Sequence, residues 1–223
     1  MNSPVEAVLF DLDGTLIDTA PDFVVVLNKM RLQCNLDPLP DQQIRQQVSN
    51  GAKALIRLSF GDEEQNPNFE QLLQQLLDDY LQHLAVESRL FDHLDGTLKN
   101  LEDKQIPWGI VTNKPSRFTN PLIQKLELAQ RCAVAICPDQ VTHSKPHPEP
   151  ILKACEIIEV KPENTLYVGD HIRDIEAGKN ANTRTVAAAW GYLNADEDPL
   201  SWQADVTLDT PLGFSRWLND LIA

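Results

Sequence analysis

The chain has 223 residues, which fits one large domain or a core with a smaller insert and is enough to bury a sizeable apolar core. Hydrophobic residues make up 42% and charged residues 23%, an ordinary globular composition that excludes disordered and fibrous proteins. The formal net charge of −14 argues against a nucleic acid as partner. With no apolar run near the roughly 20 residues that span a bilayer and no signal peptide, we expect a cytoplasmic protein with no membrane partner.

The predicted strands are short apolar runs bounded by polar residues, a pattern typical of strands buried on both faces of a parallel sheet. They are residues 5–10, 108–112, 133–137, 165–168, 183–189 and 205–208. Helical patterns lie between them at residues 96–104, 116–127, 148–159 and 172–180. This alternation predicts an α/β fold with a doubly wound, Rossmann-like parallel sheet.

Residues 19–89 depart from this alternation of strands and helices, because they contain no convincing strand and several helical patterns. In the clearest pattern, over 69–84, apolar residues recur at spacings of three and four. Weaker patterns predict helices over 21–32 and 41–60. We therefore expect an α/β core domain of residues 1–18 and 90–223 with an inserted small helical cap domain of residues 19–89. Such an insert could cover the carboxyl end of the first strand.

Two carboxylates follow the first predicted strand. Asp11 and Asp13 are separated by Leu12, so an extended chain places both acids on one side. Close acids repel one another unless a cation or hydrogen bonds intervene, which makes a hard metal ion with oxygen ligands a natural partner. Gly14 permits a tight turn and a close approach of the backbone to a ligand. An acidic turn without function is the alternative for so short a motif.

Two later strand ends carry groups that suit an anion. Thr112 and Asn113 offer a hydroxyl and backbone N–H groups, although taken alone they are more typical of helix capping. Lys145 lies in a proline-rich loop that could aim its ammonium at a phosphate, and a solvated lysine is the alternative. Lys114 is expected to be a surface charge, with a minor alternative role at the mouth of the site.

A fourth motif follows the strand at 165–168. Asp170 and Asp174 are four residues apart at a helix start, so both fall on one helical face and are available to a metal. An ordinary helix cap is the alternative. We expect His171 to face solvent and assign no catalytic role to the other histidines.

The motifs DLDGT, TN, SKP and GDHIRD, in this order, resemble those of the haloacid dehalogenase-like phosphatase superfamily, and the resemblance covers the whole chain. The insert resembles the helical cap of the phosphoglycolate-phosphatase-like branch. The resemblance implies a Mg²⁺-dependent phosphomonoesterase that acts through an aspartyl-phosphate. The implied partner is a small phosphorylated metabolite, 2-phosphoglycolate or a sugar phosphate such as N-acetylmuramic acid 6-phosphate.

The resemblance also implies roles for the acidic residues. Asp11 would be the nucleophile, and Asp13 would donate a proton to the leaving oxygen and later accept one from water. The Mg²⁺ cofactor would be held by Asp11, the backbone carbonyl of Asp13 and Asp170. Asp174 would orient the metal shell or the lysine of the third motif.

The remaining implied roles concern the phosphate and the rest of the substrate. Lys145, Thr112 and Asn113 would hold the phosphoryl oxygens, with Lys145 also counted as catalytic. Substrate choice is expected from the insert, where Gly51, Lys53 and Arg57 are the candidates. A solvated helix start is an equally good interpretation of each of these three residues.

Three competing interpretations remain open. A phosphomutase or phosphotransferase of the same superfamily would share all four motifs, and the motifs do not decide whether water or a second substrate accepts the phosphoryl group. A dehalogenase is less favoured, because Asp13 and the paired acids indicate Mg²⁺ and phosphate. A non-catalytic binding protein on the same fold is the third. The sequence assigns no oligomeric state.

Overall fold

The computed structural model describes residues 4–194 and 196–223. The chain forms two compact units, which are described separately: the first unit is Met1–Ile17 with Leu90–Ala223, and the second unit is Asp18–Arg89. No helix in the described part of the chain is both long and apolar enough to cross a membrane.

The strands in chain order are β1 Ala7–Phe10, β2 Ile17–Asp18, β3 Arg89–Leu90, β4 Trp108–Val111, β5 Val134–Ile136, β6 Thr165–Gly169, β7 Arg184–Ala188 and β8 Val206–Leu208. Six of them form a parallel sheet in the order β5-β4-β1-β6-β7-β8, while β2 pairs with β3. The predicted parallel α/β sheet is therefore confirmed. Its chain order reverses at β1, since β4 and β6 lie on either side of it, and ligands of open α/β sheets gather at such a switch point.

The helices in chain order are α1 Ala20–Gln33, α2 Asp41–Arg45, α3 Ala52–Phe60, α4 Phe69–His83, α5 Leu94–Asp103, α6 Ser116–Lys125, α7 Glu149–Ile157, α8 Ile172–Asn180 and α9 Pro211–Leu221. Helices α5 to α9 belong to the first unit, and α1 to α4 form the second. All four side chains of β1 are fully buried, as the uninterrupted apolar run predicts. Burial on both faces fixes β1 rigidly at the centre of the sheet.

In the second unit, α1 packs against α2 and α4, and α3 packs against α4. The rings of Phe23 and Tyr80 stack with their centroids 3.9 Å apart, joining α1 to α4. Asp22 is fully buried on α1 and accepts hydrogen bonds from the N–H groups of Ala85 and Glu87, which fixes the segment after α4.

One expectation about helices is wrong, and one helix of the structure was not predicted. The single helix expected over 41–60 is divided into α2 and α3, and Gly51, directly before α3, adopts φ +85°, a left-handed conformation that a helix interior does not allow. The helix that was not predicted is α9, which follows β8. The side chain of Thr210 caps α9 by accepting a hydrogen bond from the N–H of Gly213, and Pro211 occupies the first turn.

Candidate active site

The register of the sheet brings the motif-bearing strand ends to one edge. Phe10 of β1 lies opposite Ile110 of β4 and Val168 of β6, so the residues that follow these strands leave the sheet at the same level. The N–H of Asp11 continues the ladder by donating to the carbonyl of Val168 over 2.8 Å. Three of the four motifs therefore begin side by side.

Lys145 is the centre of this cluster and is only 4% exposed, which excludes the solvated-lysine interpretation. Its Nζ atom lies 2.7 Å from Oδ1 of Asp11 and 2.7 Å from Oδ1 of Asp174. It also donates to the carbonyl of Val111 and to the hydroxyl of Tyr167, both at 2.9 Å. A buried ammonium with this many acceptors is held in one position.

Charge and burial shift the pKa values of this cluster in opposite senses. Burial raises the pKa of Asp11 to about 6, although the Lys145 charge acts to lower it. Burial acts to lower the pKa of Lys145, but the negative charges of Asp11 and Asp174 outweigh it, so the net shift is upward. Burial, and then Asp174, raise the pKa of the Tyr167 hydroxyl well above its usual value. Lys145 is therefore a fixed positive charge and Tyr167 a neutral donor.

Three carboxylates share this space with the single ammonium of Lys145. Asp11, Asp170 and Asp174 each place one oxygen so that all three atoms lie within 4.8 Å of one another. The pKa of Asp170 is raised well above its usual value, first by burial and then by the charges of Asp11 and Asp174. This surplus of negative charge and the all-oxygen donor set fit a hard divalent cation such as Mg²⁺.

The carboxylate of Asp170 is oriented from both sides. Its Oδ1 accepts from the Thr15 hydroxyl at 3.1 Å, and its Oδ2 accepts from the N–H of Tyr192 at 2.9 Å. Gly14 has φ +82°, and a Cβ at this position would stand 2.2 Å from Oδ2 of Asp170. The glycine of the first motif is thus required both for the turn and for the approach of this carboxylate.

Asn113 and Thr112 organise the loops beside Lys145. The Asn113 side chain donates to the carbonyl of Lys145 at 3.0 Å and accepts from its N–H at 3.1 Å. The buried hydroxyl of Thr112 accepts from the N–H of Lys114 at 3.1 Å. Neither residue acts as a simple helix cap: Asn113 positions the loop of Lys145, and Thr112 shapes the turn after β4.

The expectation that Lys114 is a surface charge is wrong. Its side chain is 7% exposed, and its Nζ atom lies 2.9 Å from Oδ1 of Asp13. Asp13 follows β1, which pairs directly with β4, and this pairing brings a lysine and an acid 101 residues apart in the chain into contact. The second carboxylate of the first motif therefore has its own fixed cation.

His171 lies at the start of a helix, as expected, but it is only partly exposed to solvent. It is the N-cap of α8, where its Nδ1 accepts from the N–H of Arg173. Burial, followed by the charge of Arg173, lowers the pKa of His171 to about 4. The imidazole is therefore neutral at pH 7, which matches its role as an acceptor.

The three predicted specificity residues lie in the second unit. Gly51 precedes α3 with a left-handed φ, and Lys53 is exposed on the first turn of α3. The Nζ atom of Lys53 lies 3.4 Å from a Glu70 oxygen, and the Arg57 guanidinium lies 6.0 Å from the centre of the Phe69 ring. Lys53 and Arg57 thus lie on one face of α3, and Gly51 directly precedes this helix.

Sequence reasoning missed two further groups of the first unit. Tyr167 lies inside the apolar run of β6. Because a buried tyrosine generally requires a hydrogen-bond partner for its hydroxyl, a tyrosine in such a run could have indicated a polar group nearby. The contact of the Tyr192 N–H with Asp170 had no signal, because backbone donors carry no identity in the sequence.

Comparisons with known proteins agree with this geometry. Residues 8–188 match the family model described as haloacid dehalogenase-like hydrolase, which is more than half of the chain. The chain belongs to the haloacid dehalogenase-like hydrolase family. It is 45% identical over 207 residues to the N-acetylmuramic acid 6-phosphate phosphatase of Pseudomonas aeruginosa PAO1, covering 93% of this chain and 92% of the relative.

Two further matches cover almost the whole chain. It is 42% identical to the phosphoglycolate phosphatase of Xanthomonas campestris pv. campestris strain 8004, with 92% of each chain covered. The crystal structure of a predicted phosphoglycolate phosphatase from Haemophilus somnus shares the fold, with a TM-score of 0.82, 24% identity and 96% and 97% of the two chains covered. Family membership and these relatives make the chain a phosphatase.

Proposed function

We propose that this enzyme is a Mg²⁺-dependent phosphomonoesterase that hydrolyses a small phosphorylated metabolite through an aspartyl-phosphate at Asp11. The observation that carries the proposal is the contact of the buried Lys145 ammonium with both Asp11 and Asp174, at 2.7 Å each. A carboxylate held beside a fixed positive charge is suited to attack a phosphoryl group, which is itself an anion.

In the first step, a carboxylate oxygen of Asp11 forms a bond to phosphorus while the ester P–O bond breaks. Lys145 holds Oδ1 of Asp11, which orients the carboxylate and leaves Oδ2 for the attack. Asp13 gives its proton to the leaving oxygen. The Lys114 ammonium, 2.9 Å from Oδ1 of Asp13, fixes the position of this acid.

In the second step, Asp13 takes a proton from water, the hydroxyl oxygen bonds to phosphorus, and the bond between phosphorus and Asp11 breaks. Inorganic phosphate is released and Asp11 is regenerated. Dividing one displacement into two lets a single acid serve as proton donor and then as proton acceptor.

The phosphoryl oxygens would be held by the groups that surround Asp11. Thr112 and Asn113 follow the carboxyl end of β4, which is adjacent to β1, and they supply a hydroxyl and an N–H. The Lys145 ammonium comes from the loop that the Asn113 side chain positions. Because these donors are fixed before substrate arrives, they stabilise developing charge without reorganising.

The metal ion would be held by Asp11, Asp170 and the backbone carbonyl of Asp13, with Asp174 next to it. When bound, Mg²⁺ offsets the repulsion between the carboxylates and the phosphate dianion. The support for this cofactor is the cluster of three carboxylates, whose net charge a dication would balance.

The substrate is proposed to be 2-phosphoglycolate or an aminosugar phosphate such as N-acetylmuramic acid 6-phosphate. Relatives of similar identity are named for each of these two activities. Both compounds carry a carboxylate besides the phosphate, and we assign its recognition to Lys53 and Arg57, exposed cations on α3.

Phosphate release from a panel of substrates tests the proposal. The panel contains 2-phosphoglycolate, N-acetylmuramic acid 6-phosphate and N-acetylglucosamine 6-phosphate, which lacks the carboxylate, each with Mg²⁺ and with EDTA. We expect kcat/KM above about 10⁴ M⁻¹s⁻¹ for one carboxylate-bearing compound, lost in EDTA. Transfer of phosphate to a second sugar would instead indicate a transferase, and no turnover of any of the three compounds would contradict the proposed substrate class.

A further inference from the structure

A second cluster of metal-ligating side chains lies in the first unit, outside the carboxylate cluster. His143, His147 and Glu149 each place one ligand atom so that all three lie within 4.8 Å of one another. Nδ1 of His143 is 3.0 Å and Nδ1 of His147 is 3.9 Å from Oε2 of Glu149. The two imidazole rings lie beside each other with centroids 4.5 Å apart.

The carboxylate of this cluster is fixed and charged. Oε1 of Glu149 accepts from the N–H of Thr142 at 2.7 Å, and Oε2 accepts from the N–H of His143 at 2.9 Å. These hydrogen bonds, the one from Thr142 foremost, lower the pKa of Glu149 to about 2. An anionic oxygen therefore stands between two imidazoles at every pH at which the protein is expected to work.

Nδ1 of His143 is hydrogen-bonded to Oε2 of Glu149 at 3.0 Å, and Nδ1 of His147 accepts from the N–H of Glu149 at 3.2 Å, so a bound ion would replace these contacts. Zinc bonds of about 2.0–2.1 Å to nitrogen and oxygen place two ligand atoms about 3.3 Å apart, between the 3.0 and 3.9 Å seen here. The side chains of His143 and His147 are 60% and 49% exposed, so both rings can turn towards an ion. An open depression beside them, lined by Thr142, Ser144 and Asn180 among others, leaves room for water as a fourth ligand.

We propose that His143, His147 and Glu149 form a binding site for a divalent transition metal ion, with Zn²⁺ as the representative. Two imidazoles and one carboxylate are a donor set for zinc, copper or nickel and not for Mg²⁺, which takes oxygen ligands. The net charge of −14 favours the binding of cations at the surface in general, and the two imidazoles select transition metal ions among them.

Because of the position of the site, a bound ion would constrain the loop that carries Lys145. His143 and His147 are each two residues from Lys145, on opposite sides of it in the chain. An ion bound to both would tie together the two ends of the loop that carries the buried ammonium. The binding claim itself does not depend on the proposed phosphatase mechanism, because it is tested by metal binding alone.

The test measures Zn²⁺ binding to the full chain in saturating Mg²⁺, by competition with a chromophoric chelator, and the absorption spectrum of the Co²⁺ form. We expect one Zn²⁺ per chain and a Co²⁺ spectrum typical of tetrahedral nitrogen and oxygen ligands. His143→Ala and His147→Ala, both at exposed positions, should each lower the affinity at least about tenfold.

Three control variants make the assignment specific. Asp170→Asn alters the carboxylate cluster, Cys34→Ser removes an exposed thiol, and His93→Asn removes an exposed imidazole at a left-handed position that Asn tolerates. All three should bind Zn²⁺ as the unaltered chain does. The proposal is overturned if the unaltered chain binds no Zn²⁺, if both histidine variants bind it unchanged, or if Asp170→Asn abolishes binding.

Discussion

Nζ of Lys145 lies 2.7 Å from Oδ1 of Asp11, a contact that joins the end of the first strand to a loop 134 residues later. The same ammonium contacts Asp174 at the start of α8, so three separate motifs meet at one buried positive charge. Three carboxylates around one ammonium leave a surplus of negative charge in the space where phosphate and metal are proposed to bind.

Lys145→Met removes the only cation in contact with Asp11 among the described hydrogen bonds. We expect kcat/KM to fall by about 10²–10³-fold or more, the usual cost of losing one preorganised donor to developing charge. Leaving buried carboxylates unpaired should also destabilise the metal-free protein by up to about 3–5 kcal/mol. Steady-state kinetics and thermal unfolding measure the two effects. Unchanged kinetics would remove Lys145 from the mechanism.

Lys114→Met tests whether the contact of Lys114 with Asp13 positions the proton donor. We expect kcat to fall about 10–100-fold with little change in KM, because the acid loses its fixed partner but the phosphate contacts remain. Lys99→Met, at an exposed position on α5, is the matched control and should leave kcat unchanged. A rise in KM at constant kcat would show instead that Lys114 binds substrate.

The stability of the metal-free protein should respond to pH through Asp11. Its pKa is about 6 in the fold against 3.8 as the ordinary value, so the stabilisation due to this group is complete below about pH 3.8 and is lost as the pH rises through 6. Mg²⁺ binding to the ionised carboxylates should offset that loss. Saturating Mg²⁺ should therefore raise Tm by roughly 5–10 °C at pH 8, from a free energy of about 2.7 kcal/mol, and by much less at pH 5.

Asp170→Asn is the control for this effect. It removes a buried carboxylate whose pKa is strongly raised, so the metal-free variant should unfold at a higher temperature than the unaltered chain at pH 8. Its Tm should then respond weakly to Mg²⁺. An equal Mg²⁺ response at both pH values, or in both proteins, would contradict the assignment of the cation to this cluster.

Arg57→Ala tests the proposed recognition of the substrate carboxylate. We expect KM for the preferred carboxylate-bearing substrate to rise about tenfold, as a charged hydrogen bond contributes about 1.5–3 kcal/mol at most, while KM for N-acetylglucosamine 6-phosphate stays constant. Arg216→Ala, at an exposed position on α9, is the matched control. Equal effects of Arg57→Ala on both substrates would indicate a structural role.

The sheet could be predicted because strands buried on both faces consist of uninterrupted apolar runs, as β1 does. The proximity of Asp11, Lys145 and Asp170 could be predicted for a related reason, since each follows a strand or loop at the carboxyl edge of one parallel sheet. Helix α4 could be predicted because its apolar residues recur at spacings of three and four.

Other features depend on contacts that no local pattern contains. The burial of Lys114 follows from an acid 101 residues away, and the same residue beside a solvent-facing strand end would be an ordinary surface lysine. The break before α3 depends on the backbone conformation of Gly51, and a glycine alone does not say whether a helix continues through it. The first feature depends on the pairing of two strands and the second on the conformation of one residue, and neither is contained in a local sequence pattern.

Rapid acid quenching during turnover tests the proposed covalent phosphoryl group on Asp11 most directly. The enzyme is mixed with Mg²⁺ and labelled substrate, quenched, reduced with borohydride and digested for mass spectrometry. We expect an acid-stable, hydroxylamine-sensitive protein phosphate, homoserine at position 11 after reduction, and neither product in Asp11→Asn, whose turnover should fall at least about 10³-fold. Label at another residue, or full phosphatase activity in folded Asp11→Asn, would exclude Asp11 as the nucleophile.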